Sequence, residues 1–200
     1  MTTRMRIMFA AIVVAALLLV VMSASPASPQ EVADQFLASY QAMNLKEVTR
    51  YSVVSIDGSG QISNPWQFAD ANQERLVKAV HKRVAFRTNG VRVDGDTAVA
   101  NVEVTGVSLG KVLDQTMTAL QSTPPGAGDA ANTKAAADKA MEILVNNVLS
   151  AEAPTATTEV QLHLVKVRDV WRVVFDETSA KAFTAALTGG APLSATGTGK

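Results

Sequence analysis

The sequence predicts an α+β fold: a curved antiparallel sheet of two hairpins packed on N-terminal helices, with a helical insertion between the hairpins. Alternation of apolar and polar residues over 84–107, and again over 157–176, predicts the two hairpins. Apolar residues at helical spacing before, between and after these segments predict the helices. An uncharged apolar run over residues 7–22 fits neither pattern and precedes the domain.

The first predicted helix spans about residues 30–43. A capping box at residues 28–31 opens it, and Phe36 and Tyr40 lie on its apolar stripe. Asn44 repeats the capping pattern and predicts a short second helix. These helices are expected to cover one face of the sheet.

The remaining predicted helices flank the hairpins. Residues 64–65 open a third helix, with Trp66 at its start. Residues 109–150 form the helical insertion, which is broken at 122–129 by a segment rich in proline and glycine. A last helix covers about residues 178–187.

Each predicted hairpin has a turn that its sequence indicates. Residues 94–96 (Asp-Gly-Asp) join the first pair of strands, and Gly90 is predicted to form a bulge or a kink within that hairpin. Residues 168–169 form the second turn. Pairing across this second turn places large apolar side chains on one face of the sheet: Leu162, Leu164, Trp171, Val173 and Phe175.

The opposite face of the second hairpin is also apolar for a protein surface. It carries His163, Val165, Val167, Val170, Arg172 and Val174. Because soluble proteins rarely expose contiguous apolar patches, this outer face predicts a homodimer formed through the sheet.

The segment before the domain has the order of a secretory signal peptide. Arg4 and Arg6 precede the apolar run, and small residues and prolines follow it, so we expect cleavage after Ala27. A helix of that run spans about 24 Å, short of a hydrocarbon core of about 30 Å. The alternative is an uncleaved single-pass anchor through residues 7–22, with residues 28–200 outside the cytoplasm. Both arrangements predict export, to the periplasm or the extracellular space.

The chain therefore divides into three predicted parts. Residues 1–27 are the signal peptide or anchor, and residues 28–190 form one domain that includes the helical insertion. Residues 191–200 are small and polar and are predicted to be a disordered tail.

Composition excludes several classes of function. The chain has 200 residues and no cysteine, which excludes disulfide frameworks, thiol catalysis and thiol-attached lipid. Its 18 basic residues balance 18 acidic ones, which argues against a nucleic-acid partner. The phosphate-binding loop and the serine-nucleophile motif do not occur in the sequence. We therefore expect no nucleic acid and no cofactor.

Three features together resemble a known superfamily. They are the aromatic stripe of the first helix (Phe36, Tyr40), the segment VRVDGDTAVANVEV at 91–104, and the segment HLVKVRDVWRVVFDE at 163–177. Over residues 30–188 the sequence resembles the nuclear transport factor 2-like (cystatin-like) superfamily, and most of all its small exported bacterial domains of unknown function. Asp169 stands where such domains commonly have glycine. The resemblance implies a cone-shaped sheet with a ligand pocket at its mouth, but no single activity.

Aromatic side chains are the candidates to line the implied pocket. We expect Phe36, Tyr40, Tyr51, Trp66 and Trp171 to do so. For Tyr40 and Tyr51 the alternative is core packing with a hydrogen-bonded hydroxyl. For Trp66 it is a staple that holds the third helix to the core.

Neither histidine is predicted to act in catalysis or to bind metal. His81 lies between Val80 and Lys82 near a helix end, where we expect it to be solvated. His163 is expected to be exposed or partly covered on its strand. No pattern of carboxylates accompanies either residue, so the sequence predicts no metal site and no catalytic residue.

The densest group of positive charges lies near the end of the third helix. It comprises Lys78, His81, Lys82, Arg83 and Arg87. We expect a solvated helix end, and the alternative is a surface that meets anionic lipid head groups or a cell-wall polymer.

These observations leave three hypotheses for function. The leading one is an exported cell-envelope domain of non-enzymatic binding type, which holds a small apolar ligand or an envelope protein in or around the pocket. The second is a dimerisation module that acts through the outer face. The third is an isomerase, dehydratase or hydrolase, which would need an aspartate, histidine or tyrosine deep in the same pocket.

Overall fold

The computed structural model describes residues 27–54, 66–122 and 133–190. In chain order these form α1 (Pro29–Gln41), α2 (Leu45–Tyr51), β1 (Ser52–Val54), α3 (Ala71–Arg83), β2 (Ala85–Asp94), β3 (Thr97–Val107), α4 (Leu109–Gln121), α5 (Thr133–Leu149), β4 (Thr155–Val167), β5 (Val170–Phe175) and α6 (Glu177–Leu187). The predicted signal peptide, the predicted helix start at 64–65, most of the break at 122–129 and the tail at 191–200 lie outside the described residues. The predicted α+β class is confirmed.

The five strands form one curved sheet in the order β1-β5-β4-β3-β2. Both predicted hairpins are confirmed, as β2–β3 and β4–β5, and β3 pairs antiparallel with β4 to join them. The three-residue strand β1 pairs parallel with β5. Sequence patterning did not predict β1, because three residues are too few to show an alternation.

Two details of the hairpins follow the sequence. The register of β2 against β3 shifts between Thr88 and Gly90, which confirms the predicted bulge. At the second turn Arg168 has φ 48° and Asp169 has φ 64°. Positive φ at both central residues is the geometry of a tight hairpin turn, and aspartate tolerates it better than most residues.

Side-chain caps set where the helices begin. The Ser28 hydroxyl accepts a hydrogen bond from the Glu31 backbone N–H at 3.2 Å, and the Glu31 carboxylate accepts one from the Ser28 N–H at 2.7 Å. The predicted capping box is therefore confirmed. The third helix begins later than predicted, because the Asp70 carboxylate caps it by accepting from the Gln73 N–H at 2.8 Å.

One face of the sheet is covered by helices. Along β3 every second side chain is buried, from Ala98 to Val104, and the inner side chains of β4 and β5 are buried opposite them. Helices α1, α3 and α6 pack on this face, α5 packs against α3, and α4 packs against α5. Hydrogen bonds tie the pair in place, from Asn72 to Asp138 at 3.0 Å and from Asn147 to Thr116 at 2.9 Å.

The last helix approaches β3 closely at Gly106. A Cβ at this position would meet the backbone carbonyl of Leu187 and would lie 2.9 Å from the carbonyl oxygen of Ala186. The Leu109 N–H donates to the Thr188 carbonyl at 3.1 Å, just beyond the same contact. Only glycine therefore lets the end of α6 sit against the end of β3.

The outer face of the sheet is partly exposed. Val167 is 45% exposed and Val170 is 43% exposed, beside the exposed His163 and the half-buried Val165 and Val174. No helix among the described residues has the length and apolar character needed to cross a membrane.

Candidate functional site

Seven rings from distant parts of the chain form one aromatic cluster. Its members are Phe36, Tyr40, Trp66, His81, Phe86, Phe175 and Phe183. Tyr40 lies at the centre, with ring centroids 5.0 Å from Phe183, 5.5 Å from Trp66 and 5.6 Å from His81. Such offset and edge-on contacts add roughly 0.5–1.5 kcal/mol per pair to the gain from burial.

The local sequence accounts for the positions of these rings. Phe36 and Tyr40 are four residues apart on α1, so they lie on the same face of that helix. His81 lies in the last turn of α3. Phe175 and Phe183 close the cluster from the end of β5 and from α6.

An open groove of about 730 Å³ lies above this cluster, between the carboxyl ends of α1 and α3. Its apolar wall is formed by Met43, Leu45, Trp66 and Phe68, with the small side chains of Ala38 and Ala42 beside them. Its polar lining consists of Gln41, Lys78, His81 and Lys82. Grooves of this size and lining are typical of sites for small molecules.

Two backbone features shape the groove at the end of α1. The Gln41 side-chain amide donates to the Val84 carbonyl at 2.7 Å, which links the ends of α1 and α3. Met43 has φ 54°, the left-handed conformation in which many helices end. This turn directs the chain along the groove into α2.

His81 is buried, so the expectation of a solvated histidine was wrong. Its side chain is only 6% exposed, and its ring stacks on Tyr40 at an interplanar angle of 28°. Burial lowers the pKa of His81 below its usual 6.5, and hydrogen bonding to the backbone of Gln41 and Tyr40 opposes this shift. Its Nδ1 atom has no hydrogen-bond partner among the residues that the structure describes. The ring is therefore held in the neutral form at neutral pH.

Burial acts on Tyr40 in the opposite direction. It raises the pKa of the phenol from 10.0 to about 12, because the charged phenolate is disfavoured away from water. The Tyr40 hydroxyl consequently stays protonated throughout the physiological range. At neutral pH both polar rings of the cluster are uncharged, so His81 presents a neutral ring to the groove and Tyr40 packs against that ring.

The predicted basic group does not form one surface. Arg87 pairs with Glu103 at 2.8 Å on the sheet, and His81 points inward. The Arg83 Nε is buried and has no hydrogen-bond partner within the described part of the chain. Only Lys78 and Lys82 line the groove, which leaves a smaller positive charge than the sequence suggested.

The five aromatic residues predicted for the pocket separate into two sets. Phe36, Tyr40 and Trp66 belong to the aromatic cluster, and Trp66 also lines the groove. Tyr51 is half-buried, with the Arg50 guanidinium 5.6 Å from its ring centre. Trp171 is buried on the inner face of β5 and is not among the groove-lining residues.

Sequence reasoning did not single out Phe68, Met43 or Leu45, which complete the apolar wall. Phe68 lies two residues from Trp66, and this spacing was the available signal. Met43 and Leu45 continue the apolar positions of the first and second predicted helices, and that pattern indicates core packing rather than the wall of a groove.

A smaller depression of about 270 Å³ lies on the other side of α1, beside Phe86 and Leu37. The Thr88 hydroxyl donates to the Asp34 carboxylate across it at 2.6 Å. Within the described parts of the chain, no three metal-binding side chains come together.

The fold and the groove define a class of protein: a small α+β domain with an open apolar groove at the ends of two helices. The chain belongs to the family described as Domain of unknown function (DUF5105), whose model matches residues 30–188. No curated protein matches the sequence. The chain is similar to the crystal structure of a "putative lipoprotein" from Bacillus subtilis, with 14% identity and a TM-score of 0.42. That match covers 80% of this chain and 47% of the Bacillus chain.

Proposed function

We propose that this protein is an exported, non-enzymatic domain of the cell envelope that binds a small apolar molecule in the groove. The single observation that carries the proposal is the apolar wall of Met43, Leu45, Trp66 and Phe68 around a volume of about 730 Å³. Enclosing a ligand there would remove apolar surface from water, at about 25 cal/mol per Å².

The lining of the groove favours binding over acid–base catalysis. No aspartate or glutamate is among the groove-lining residues of the described chain. His81 is the one titratable ring at the groove, and no carboxylate among the described residues orients it. A general base of the histidine type normally has such an orienting partner.

The N-terminal sequence supports the location. Arg4 and Arg6, the apolar run over 7–22 and the small residues before Ser28 have the order of a signal peptide. The order of the described elements also supports placing the domain in the nuclear transport factor 2-like superfamily, with the groove near the mouth of its curved sheet.

A neutral fluorescent probe tests the binding proposal directly. N-phenyl-1-naphthylamine becomes fluorescent in apolar sites, and we expect a saturable increase with the wild-type domain. Met43→Asn should weaken this binding about tenfold, because asparagine tolerates the left-handed backbone but removes apolar wall.

The matched control is Met117→Asn, an exposed methionine on α4 that is not among the groove-lining residues. It should bind the probe like the wild type. If the probe shows no saturable binding, or if both variants weaken it equally, the groove is not the site.

The exposed outer face supports dimerisation as a second candidate function. Val167 and Val170 flank the β4–β5 turn and are both more than 40% exposed. In sedimentation velocity, a dimer should dissociate when both are changed to lysine. Val93→Lys is the control, since Val93 is also exposed but lies on the opposite side of the sheet. If the protein sediments as a monomer at every concentration, dimerisation is excluded as its function.

A further inference from the structure

If the groove binds a small apolar molecule, as proposed above, the residues that line it also indicate the chemistry of that ligand. We propose that the ligand is an amphiphile with one anionic head group, and that one apolar chain of this ligand enters the groove. Its tail lies along the wall of Met43, Leu45, Trp66 and Phe68, and its head group pairs with Lys82.

The charges around the groove are of one sign. Lys78 and Lys82 are the only charged side chains among its lining residues in the described chain. Lys78 already pairs with Glu74 at 2.6 Å. Lys82 is exposed and has no ion-pair partner among residues 27–54, 66–122 and 133–190. Among the described residues, Lys82 is therefore the charged side chain at the groove that has no ion-pair partner.

The position of Lys82 on its helix disfavours an anion, but this effect is weaker than the attraction of the Lys82 charge. It lies in the last turn of α3, where the helix dipole places about half a negative charge. The whole positive charge of the ammonium group exceeds this partial charge. Arg83 follows Lys82 directly and adds to the positive potential at this helix end.

The lining of the groove requires the rest of the ligand to be apolar. The neutral forms of His81 and Tyr40 supply no charge to hold a second ionic group. The volume suits one small molecule. Each methylene group that enters such a groove should tighten binding about fourfold, which is about 0.8 kcal/mol.

Two sources supply this ligand chemistry, a free fatty acid or an anionic membrane lipid. Both present an apolar chain and a negative head group to the same residues. Experiments with soluble amphiphiles and with vesicles separate the two sources.

The main experiment measures displacement of N-phenyl-1-naphthylamine at pH 8. Dodecanoate should displace the probe at a concentration about tenfold lower than dodecanol, because only dodecanoate carries the charge that pairs with Lys82. Octanoate should displace the probe only at a higher concentration than dodecanoate, by about fourfold for each methylene group that it lacks.

The charge of Lys82 is tested by Lys82→Gln. This variant should lose the preference for dodecanoate and keep its affinity for dodecanol, which also shows that the groove is intact. Lys111→Gln is the matched control, an exposed lysine on α4 outside the groove, and it should behave like the wild type.

The vesicle experiment compares flotation with phosphatidylglycerol and with phosphatidylcholine. Flotation only with phosphatidylglycerol, lost in Lys82→Gln, supports the lipid source. Displacement by dodecanoate without flotation supports the free amphiphile.

Equal affinity for dodecanoate and dodecanol overturns the proposal for the head group, and so does a preference that survives in Lys82→Gln. Binding of the apolar probe would still stand in both cases. Failure of the probe itself overturns the proposed function instead.

Discussion

At the scale of single residues, His81 shows how burial changes the chemistry of a side chain. A histidine between a valine and a lysine near a helix end is usually solvated. Here the ring stacks on Tyr40, which is 41 positions earlier in the chain. No local pattern predicts this contact, since it depends on how α1 and α3 pack together.

The burial of His81 predicts a pH dependence of stability. Because folding lowers the pKa of His81, the unfolded chain binds a proton that the folded chain resists as pH falls below about 6.5. The free energy of unfolding should therefore be highest above pH 7. It should decrease towards pH 5.5 by at most about 1.4 kcal/mol per pH unit. Urea unfolding at pH 7.5 and pH 5.5 measures this difference.

Two variants test whether His81 causes this pH dependence of the free energy of unfolding. His81→Phe keeps an aromatic ring in the cluster and should flatten the dependence, whereas His163→Gln, on the exposed outer face, should retain it. The pKa of Glu31, of Asp138 and of Asp176 is lowered by hydrogen bonding, so their contribution is lost only under more acidic conditions. An unchanged pH dependence in His81→Phe would contradict the assignment.

Gly106 provides a second prediction at this scale. Gly106→Ala should lower the free energy of unfolding by about 1–3 kcal/mol, because the added Cβ meets the backbone of α6 and cannot be accommodated by a side-chain rotation. Gly110→Ala is the control, since no atom of the described residues lies within 4 Å of a Cβ there. Thermal unfolding should show no loss of stability for this control, and equal losses in both would refute the steric explanation.

At the scale of helices and strands, periodicity and caps were good guides. The hairpins, the bulge at Gly90 and the helices of the insertion were all predicted, because their patterns extend over six residues or more. The short β1 and the true start of α3 were missed. The strand β1 forms through a long-range parallel pairing with β5, and the cap by Asp70 sets the start of α3. The apolar pattern indicates neither of these features.

The last helix is expected to be indispensable. Truncation after Asp176 removes α6 and with it the buried Phe183, Ala186 and Leu187. Loss of one large core side chain costs about 3–5 kcal/mol, so loss of several exceeds the stability of most small domains. Circular dichroism should show no cooperative unfolding transition for this truncation.

Truncation after Gly190 is the matched control for that experiment. It removes only residues 191–200, which the sequence predicts to be a tail, and should leave the free energy of unfolding unchanged. A cooperative transition in the shorter chain would show that α6 is dispensable.

At the scale of the whole molecule, the groove was the least predictable feature. Its wall combines the end of α1, the residues after it, the segment around Trp66 and the end of α3. Of the aromatic residues predicted to line a pocket, Phe36, Tyr40 and Trp66 lie in one cluster of rings, and Trp66 lines the groove. The position of Trp171 inside the sheet core instead follows from the register of β5, which brings it beside Lys166 of β4.

The proposed export predicts a processed N-terminus. Expressed with its full sequence in a bacterial host, the protein should be recovered outside the cytoplasm with Ser28 as its first residue. N-terminal sequencing and intact mass measure this directly. The Ala27→Arg variant should block cleavage, whereas Ala33→Ser, within α1, should not affect it. A cytoplasmic protein that begins at Met1 would contradict the prediction.

The aromatic cluster joins the two ends of the folded chain, since Phe36 lies in the first described helix and Phe183 in the last. During synthesis, the N-terminal helices and the first hairpin emerge long before the ring that completes their packing. The nascent chain cannot close its core until about residue 187 has left the ribosome. Folding of the domain is thereby delayed until its synthesis is almost complete.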